Sequence, residues 1–334
     1  MRPGRAEHSR PMNRRFALLQ VVFSVIALAA VVWWASHQEA PTFPHTGKAI
    51  GWMAAASVLY AVATVVRAER WHRILEVTGV KAARADCYGL TTVGYMGNNV
   101  LPARAGELLR VVLLDQRVKA GKRTLLGTIV AERVMDLLVL AAMFLVVGYG
   151  VLKGHVLPGQ TFGHPLVLVA ALAVLALGVA AAFLVLKNRG MLDRVRELAR
   201  PLAGATRALW GKSGPPLLAA TVLLWCIEGS VYLAVAHAVQ LDFSVSGALY
   251  LVGLTNFVAA LPAAPGSIGT FDAAVAFGSR VLGGSGGLVI SYVILLRFVL
   301  YVPITIVGLA VLVVRYGGWA RLRDITRMQQ TSSA

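Results

Sequence analysis

Apolar residues in this chain gather in long runs instead of alternating with polar ones. Leu18–Ala35, Ile50–Val66, Val134–Val151, Val167–Leu186, Leu217–Val239 and Leu288–Val314 are nearly free of charged side chains. A helix needs ~20 residues to cross ~30 Å of hydrocarbon. The pattern predicts six full transmembrane helices, over about 16–35, 49–66, 125–150, 165–186, 216–240 and 287–314. Two more apolar stretches are too short to cross and are interrupted by proline. Residues 87–101 stop at Leu101-Pro102 and resume over 105–116. Residues 246–261 stop at Leu261-Pro262, continue through Pro265-Gly266, and resume to about 281.

The charge pattern orients these elements. Only 14% of the 334 residues are charged and 57% are hydrophobic, whereas a soluble domain carries about a quarter charged residues. The formal net charge of +17 does not point to nucleic acid, because the basic residues fall in clusters between spans. These are Arg2 to Arg15, Arg67 to Arg84 (with Arg70, Arg73 and Lys81), Arg117 to Arg123, Lys187 to Lys212, and Arg315 to Arg327. Such clusters mark cytoplasmic loops, and they place both termini inside. The first apolar run, behind its basic leader, reads as an uncleaved anchor.

Both flanks of the first broken stretch are basic, which predicts a re-entrant hairpin entering from the cytoplasmic face. The flanks of the second, Gln240–Ser244 and Gly283–Gly287, are poor in basic residues, which predicts a hairpin from the opposite face. Each half then reads span, span, hairpin, span, with inverted topology. The predicted fold is an all-α integral membrane protein with six full transmembrane helices and two re-entrant helical hairpins, arranged as an inverted repeat. Its organisation is a basic cytoplasmic N-terminus (1–15), a first repeat (16–150, hairpin 87–116), and a connecting loop and span opening the second repeat (151–186). A basic cytoplasmic loop (187–215), the rest of the second repeat (216–314, hairpin 246–281) and a basic tail (315–334) complete it.

Paired interrupted segments point to a transport site. Pro102 and Gly106 in one break, and Pro262, Gly266 and Gly269 in the other, create helix ends whose free N–H groups favour an anion such as phosphate. Asn98, Asn99 and Asn256 lie beside the breaks, where they bind substrate or satisfy freed carbonyls. Arg104 and Glu107 are three apart and would pair on one helix face. Arg133 and Arg297 lie inside predicted spans; guanidinium suits phosphate. Glu132 and Asp136 flank Arg133 as rival partners, whereas Arg297 has no acid nearby in sequence, so Asp272 or Glu228 would have to supply one across space. Glu228 sits mid-span and reads either as functional or as a protonated carboxyl between helices. Asp272 binds substrate or caps the resumed helix. Ionisable groups at membrane depth are usually functional.

Other chemistry is unsupported. The seven histidines show no metal spacing, no P-loop or Gly-x-Ser-x-Gly motif occurs, and Cys87 and Cys226 do not make a disulfide framework. No cofactor or metal is expected. Trp33, Trp34, Trp52, Trp71, Trp210 and Trp319 lie near predicted span ends, the usual aromatic belt.

Gly94-Tyr95-Met96-Gly97-Asn98-Asn99-Val100-Leu101-Pro102-Ala103-Arg104-Ala105-Gly106-Glu107 resembles the first signature of the membrane region of lysylphosphatidylglycerol synthases, also called the flippase-like domain family. Leu261-Pro262-Ala263-Ala264-Pro265-Gly266-Ser267-Ile268-Gly269-Thr270-Phe271-Asp272 resembles the second, with Asp272 where many relatives have Glu. The resemblance covers about 15–315 and implies a flippase in the bacterial cytoplasmic membrane. The substrate does not follow from the resemblance; the expectation drawn from the broken segments is an anionic or glycosylated lipid headgroup bound between the hairpin tips, with lipid-biosynthesis proteins as possible partners. The synthases carry a soluble aminoacyl-transfer domain after the membrane region, and this chain stops soon after its last span, which argues against aminoacyl-lipid synthesis here. The alternatives are a membrane enzyme transferring a group to a lipid carrier and a non-catalytic scaffold.

Overall fold

The computed structural model describes residues 45–101, 105–155, 211–259 and 265–317, with the isolated positions 33, 36 and 43. Within these residues every regular element is helical. They are α1 (Gly47–Val77), α2 (Arg84–Val100), α3 (Gly106–Val118), α4 (Lys122–His155), α5 (Gly214–Ala238), α6 (Val245–Ala259), a 3₁₀ turn (Pro265–Ser267), α7 (Thr270–Val281) and α8 (Gly286–Tyr316). Three of them, α1, α5 and α8, are long and apolar enough to cross a membrane. The expected span over 125–150 falls within α4. Those expected over 16–35 and 165–186 lie outside the described residues.

Local chemistry sets the helix ends. Thr46 caps α1 by accepting from the Ala49 N–H at 3.3 Å. Leu101, which closes α2, is extended at ψ 147°, because the residue before a proline is pushed out of the α region. Proline occupies the first turn of α5, where its missing N–H has no intrahelical partner to lose. Gly317 ends α8 in the left-handed conformation at φ 76°, the usual glycine stop.

The principal helix contacts come in matched pairs. α1 packs on α5, and each half's broken pair, α2 with α3 and α6 with α7, packs internally. α2 also packs on α8 of the other half, and α6 on α4. The remaining contacts between α-helices pair in the same way: α1–α2 with α5–α6, α1–α4 with α5–α8, α3–α4 with α7–α8, and α1–α8 with α4–α5; the contact of α2 with the 3₁₀ turn has no counterpart among the described residues. Exchanging α1 with α5, α2 with α6, α3 with α7 and α4 with α8 therefore returns the same set of helix neighbours. One apolar core joins α5 through α8 with parts of α1 and α4. A second joins α2 and α3 with the ends of α1, α4 and α8.

Two expectations need correction. α1 does not stop near Val66; it continues to Val77, and Arg67 and Arg70 are in its interior instead of a solvated loop. Arg67 is 5% exposed and Arg70 1%, because carboxylates from α4 and α5 neutralise them within the fold. Trp71 is not a belt residue. It is fully buried, donates to Thr128 Oγ1 at 3.1 Å and lies beneath the Arg110 guanidinium at 4.6 Å.

Candidate functional site

The two interrupted segments meet. A carbon added at Gly266 of the second break would lie 3.3 Å from the Asn99 carbonyl oxygen beside the first. Around this contact is a polar cavity of about 110 Å³, room for three or four waters at ~30 Å³ each. Tyr95, Asn98 and Asn99 come from α2, Thr255, Asn256 and Ala259 from α6, and Gly266 and Ser267 from the turn. Tyr60, Glu228, Tyr232, Phe271, Leu300 and Tyr301 complete the wall. No lysine or arginine is among these residues.

Hydrogen bonds order parts of that wall. Asn99 Nδ2 donates to Thr305 Oγ1 at 2.9 Å, and Asn256 Nδ2 donates to the Val252 carbonyl at 2.9 Å. Tyr232 and Thr255 share a hydroxyl bond of 2.8 Å, and Tyr292 donates to the Tyr232 carbonyl at 3.1 Å. Asn98 Oδ1, by contrast, is buried without a protein partner. A buried amide oxygen left so forfeits about 1–3 kcal/mol, and a molecule in the cavity could satisfy it.

Beside the cavity, Arg297 and Asp272 staple the second break. Arg297 Nε donates to Asp272 Oδ1 at 2.7 Å, while its terminal nitrogens donate to the Gly266 carbonyl at 3.1 Å and the Ser267 carbonyl at 3.4 Å. Asp272 Oδ2 accepts from the Gly269 N–H at 2.9 Å, so the carboxylate caps α7 as well as holding the arginine. Gly266 has φ 64°, a conformation that glycine adopts without penalty and that turns its carbonyl towards Arg297. Charge-assisted bonds of this kind contribute ~1.5–3 kcal/mol each. Arg297→Gln is accordingly expected to lower the unfolding midpoint and speed hydrogen exchange at the Gly269–Phe271 amides. Unchanged exchange there would remove the staple role.

A looser counterpart, an ion pair without the cap, occurs at the start of α3. Arg133 on α4 lies 3.4 Å from Glu107, which is in the first turn of α3, as Asp272 is in the first turn of α7. In both places a carboxylate sits in the first turn of a resumed helix, where the helix dipole favours it, with an arginine from α4 or α8 beside it; Arg297 hydrogen-bonds its carboxylate, whereas Arg133 pairs with Glu107 by charge alone.

Beneath the cavity lies an ion network that the sequence reading missed. Arg67 on α1 donates to Glu228 on α5, and its guanidinium also lies 5.3 Å from the Tyr95 ring and 5.6 Å from Trp225. Arg70 donates to Asp136 at 2.6 Å and to Thr221 at 2.8 Å and lies 3.6 Å from Glu132. Glu132 accepts from Arg110 at 2.9 Å and from Arg133 at 2.6 Å. Arg133 also lies 3.3 Å from Asp136. Glu228, Glu132 and Asp136 are buried, and four arginines face four carboxylates once Glu107 is included. An uncompensated charge in such a place is severely unfavourable; the balance is what makes this burial tolerable.

The predicted residues thus divide. Asn98, Asn99, Glu228, Asn256 and Gly266 share the cavity wall. Arg297, Asp272 and Gly269 form the staple beside it. Glu107 and Arg133 belong to the ion network, and Glu228 is paired with Arg67, not a lone carboxyl between helices. Gly106 packs its Cα against Gly97. Pro102, Arg104 and Pro262 lie outside the described residues, and with them the expected Arg104–Glu107 pair. The missed residues, Arg67, Arg70 and Arg110, left one readable trace: acids are scarce, 15 in all, and Glu132 and Asp136 fall one helical turn apart.

A bundle with apolar membrane-length helices, an interior polar cavity and a largely buried ion network is an integral membrane protein. Residues 18–308 match the family described as Lysylphosphatidylglycerol synthase TM region, and the chain belongs to it. The chain is 25% identical over 266 residues to the glycosyltransferase AglD of Haloferax volcanii, covering 66% of this chain and 42% of that protein. It is 29% identical over 102 residues to the UPF0104 membrane protein MJ1595 of Methanocaldococcus jannaschii, covering 30% of each. The chain thus spans less than half the length of these curated relatives. No solved structure matches it.

Proposed function

We propose that this protein is a lipid flippase of the cytoplasmic membrane, with cytoplasmic termini, moving the headgroup through the cavity where the two broken segments meet. The supporting observation is that cavity: its wall draws on both halves of a helix arrangement that exchange of the halves leaves unchanged. That arrangement supports an inverted repeat, with α2–α3 and α6–α7 as re-entrant hairpins. Transport follows as rocking of one repeat against the other around the shared site.

The composition of the wall favours the glycosylated headgroup over the anionic one. Asn98, Asn99, Asn256, Ser267 and the tyrosines offer hydroxyl and amide partners with aromatic faces. The wall carries no lysine or arginine to receive a phosphate, and its carboxylate, Glu228, is already paired with Arg67. The helix N-termini of α3 and α7 already hold Glu107 and Asp272. In the closed state the cavity is smaller than a sugar, so entry requires the hairpin tips to part.

The test is headgroup movement in proteoliposomes. A glycosyl-diacylglycerol and a phosphatidylglycerol, each with a fluorescent tail, are followed by outer-leaflet quenching. The expected result is movement of the glycolipid, reduced roughly tenfold or more, or ~1.4 kcal/mol at the barrier, by Asn98→Leu with Asn256→Leu. Folded protein that moves neither lipid would sink the reading. The second reading, group transfer onto a lipid carrier, draws its support from the glycosyltransferase name of the Haloferax relative. Turnover of a soluble sugar donor would favour it.

A further inference from the structure

A second concave site lies away from the cavity, between α1, α2 and α8. It is a cleft of about 630 Å³ lined almost wholly by apolar atoms, with Ala68, Gly89, Thr92 and Val311 along its length and Tyr88 and Arg315 at one end. From Ala85 to Thr92 it follows α2 for ~10 Å at 1.5 Å per residue, the length of a stretch of acyl chain. Flat apolar helix surface is ordinary in a membrane protein; a groove of this volume among three helices, with charge gathered at one end, is not.

The charge at that end is unbalanced. Asp86 accepts from Arg117 at 2.8 Å and lies 3.0 Å from Arg315. Glu69, held by the Tyr88 hydroxyl at 3.0 Å, faces Arg73 at 3.3 Å and Arg84 at 3.6 Å. Each carboxylate thus meets two guanidinium groups, leaving two positive charges in excess beside the cleft. The four arginine side chains are 39–67% exposed, so an incoming group can reach them. All sit at helix ends or beyond the deep part of α1, where a lipid phosphate would lie with its tail running inward.

We propose that this cleft binds one tail of an anionic phospholipid, whose phosphate rests on the arginines at its mouth. The assignment does not depend on the transport reading, since it concerns a different surface and needs no movement of the lipid.

Native mass spectrometry of the full chain in detergent, with phosphatidylglycerol and phosphatidylcholine of identical tails in equal amounts, tests it. One retained phosphatidylglycerol per protein is expected. Its preference should be roughly 30-fold, from ~1 kcal/mol for each excess basic charge near the surface. Arg84→Gln with Arg315→Gln leaves one arginine for each carboxylate and should bring the two lipids close to parity. Ala310→Phe fills the cleft from an exposed position and should lower retention of both. Equal retention of the two lipids by the unaltered protein would overturn the proposal. So would phosphatidylglycerol binding untouched by Ala310→Phe. Should that variant not fold, the lipid ratio of the unaltered protein and its arginine dependence decide the matter alone.

Discussion

Glu132→Gln is expected to destabilise the protein by about 3–5 kcal/mol, the range for stranding one side of a buried ion pair. Glu132 is 1% exposed and lies against Arg110, Arg133 and Arg70 at 2.9, 2.6 and 3.6 Å. Glutamine keeps the shape of the side chain and removes its charge, leaving Arg110 without its carboxylate and Arg70 and Arg133 to share Asp136, with Glu107 only at the margin. The measurement is thermal unfolding of purified protein in detergent, with Glu132→Gln/Arg110→Gln alongside. If the loss comes from charge imbalance, the double variant recovers much of it, because one cation leaves with the anion. If the double variant is worse than either single one, the network stabilises by its hydrogen-bond geometry and the charge argument fails. Side-chain networks are not additive, so the cycle matters more than either single value.

How far the sequence anticipated this arrangement depends on which physical signal was in use. Long apolar runs led directly to α1, α5 and α8, and proline placed the breaks after Leu101 and near Pro262. The charge pattern led to the expectation of two inverted halves, and the matched helix neighbours are what the proposed repeat draws on. Charge bias was also what misled. It counts a basic residue beyond an apolar run as solvated, and Arg67 and Arg70 satisfied that rule while being buried. Their partners Glu228, Glu132 and Asp136 lie more than sixty residues away, and no local pattern encodes such pairing. Asp272 was one of the two acids the sequence offered as a partner for Arg297, and it lies only 25 residues away. The opposite holds for Glu228: alone on an apolar helix it suggested a neutral carboxyl, and only the packing of α1 on α5 supplies its cation.

That division bears on mechanism. The residues easiest to single out by chemistry, Arg133, Arg297, Glu107 and Asp272, are engaged with protein groups. Those lining the cavity are mostly uncharged. Charge in this molecule chiefly holds the broken segments and the two halves in place, and amide and hydroxyl groups face the space between them. On the proposed reading, such a site would bind by hydrogen bonding and shape while the ion pairs keep it in register.

Gly106→Ala tests that register most directly, and loss of both fold stability and transport is expected. A methyl group at this position would overlap the Gly94 carbonyl oxygen and lie 2.5 Å from Asn98 N and 2.8 Å from Asn98 Oδ1. The obstructing atoms are mostly backbone of α2, so no side-chain rotation can relieve them, and α2 and α3 must separate. Overpacking of a well-packed contact costs about 1–3 kcal/mol, and backbone obstruction puts this case at the upper end. Separation would also shift Asn98, the cavity residue whose side-chain oxygen lacks a protein partner. Unfolding in detergent and headgroup movement in proteoliposomes should therefore fall together. Gly89→Ala is the control, because its methyl would meet Val311 Cγ1 at 3.2 Å and the Tyr316 hydroxyl at 3.5 Å, side-chain atoms far from the cavity. It should lose little of either property. Normal stability and normal transport in Gly106→Ala would mean that α2 and α3 need not touch at this glycine for the site to work.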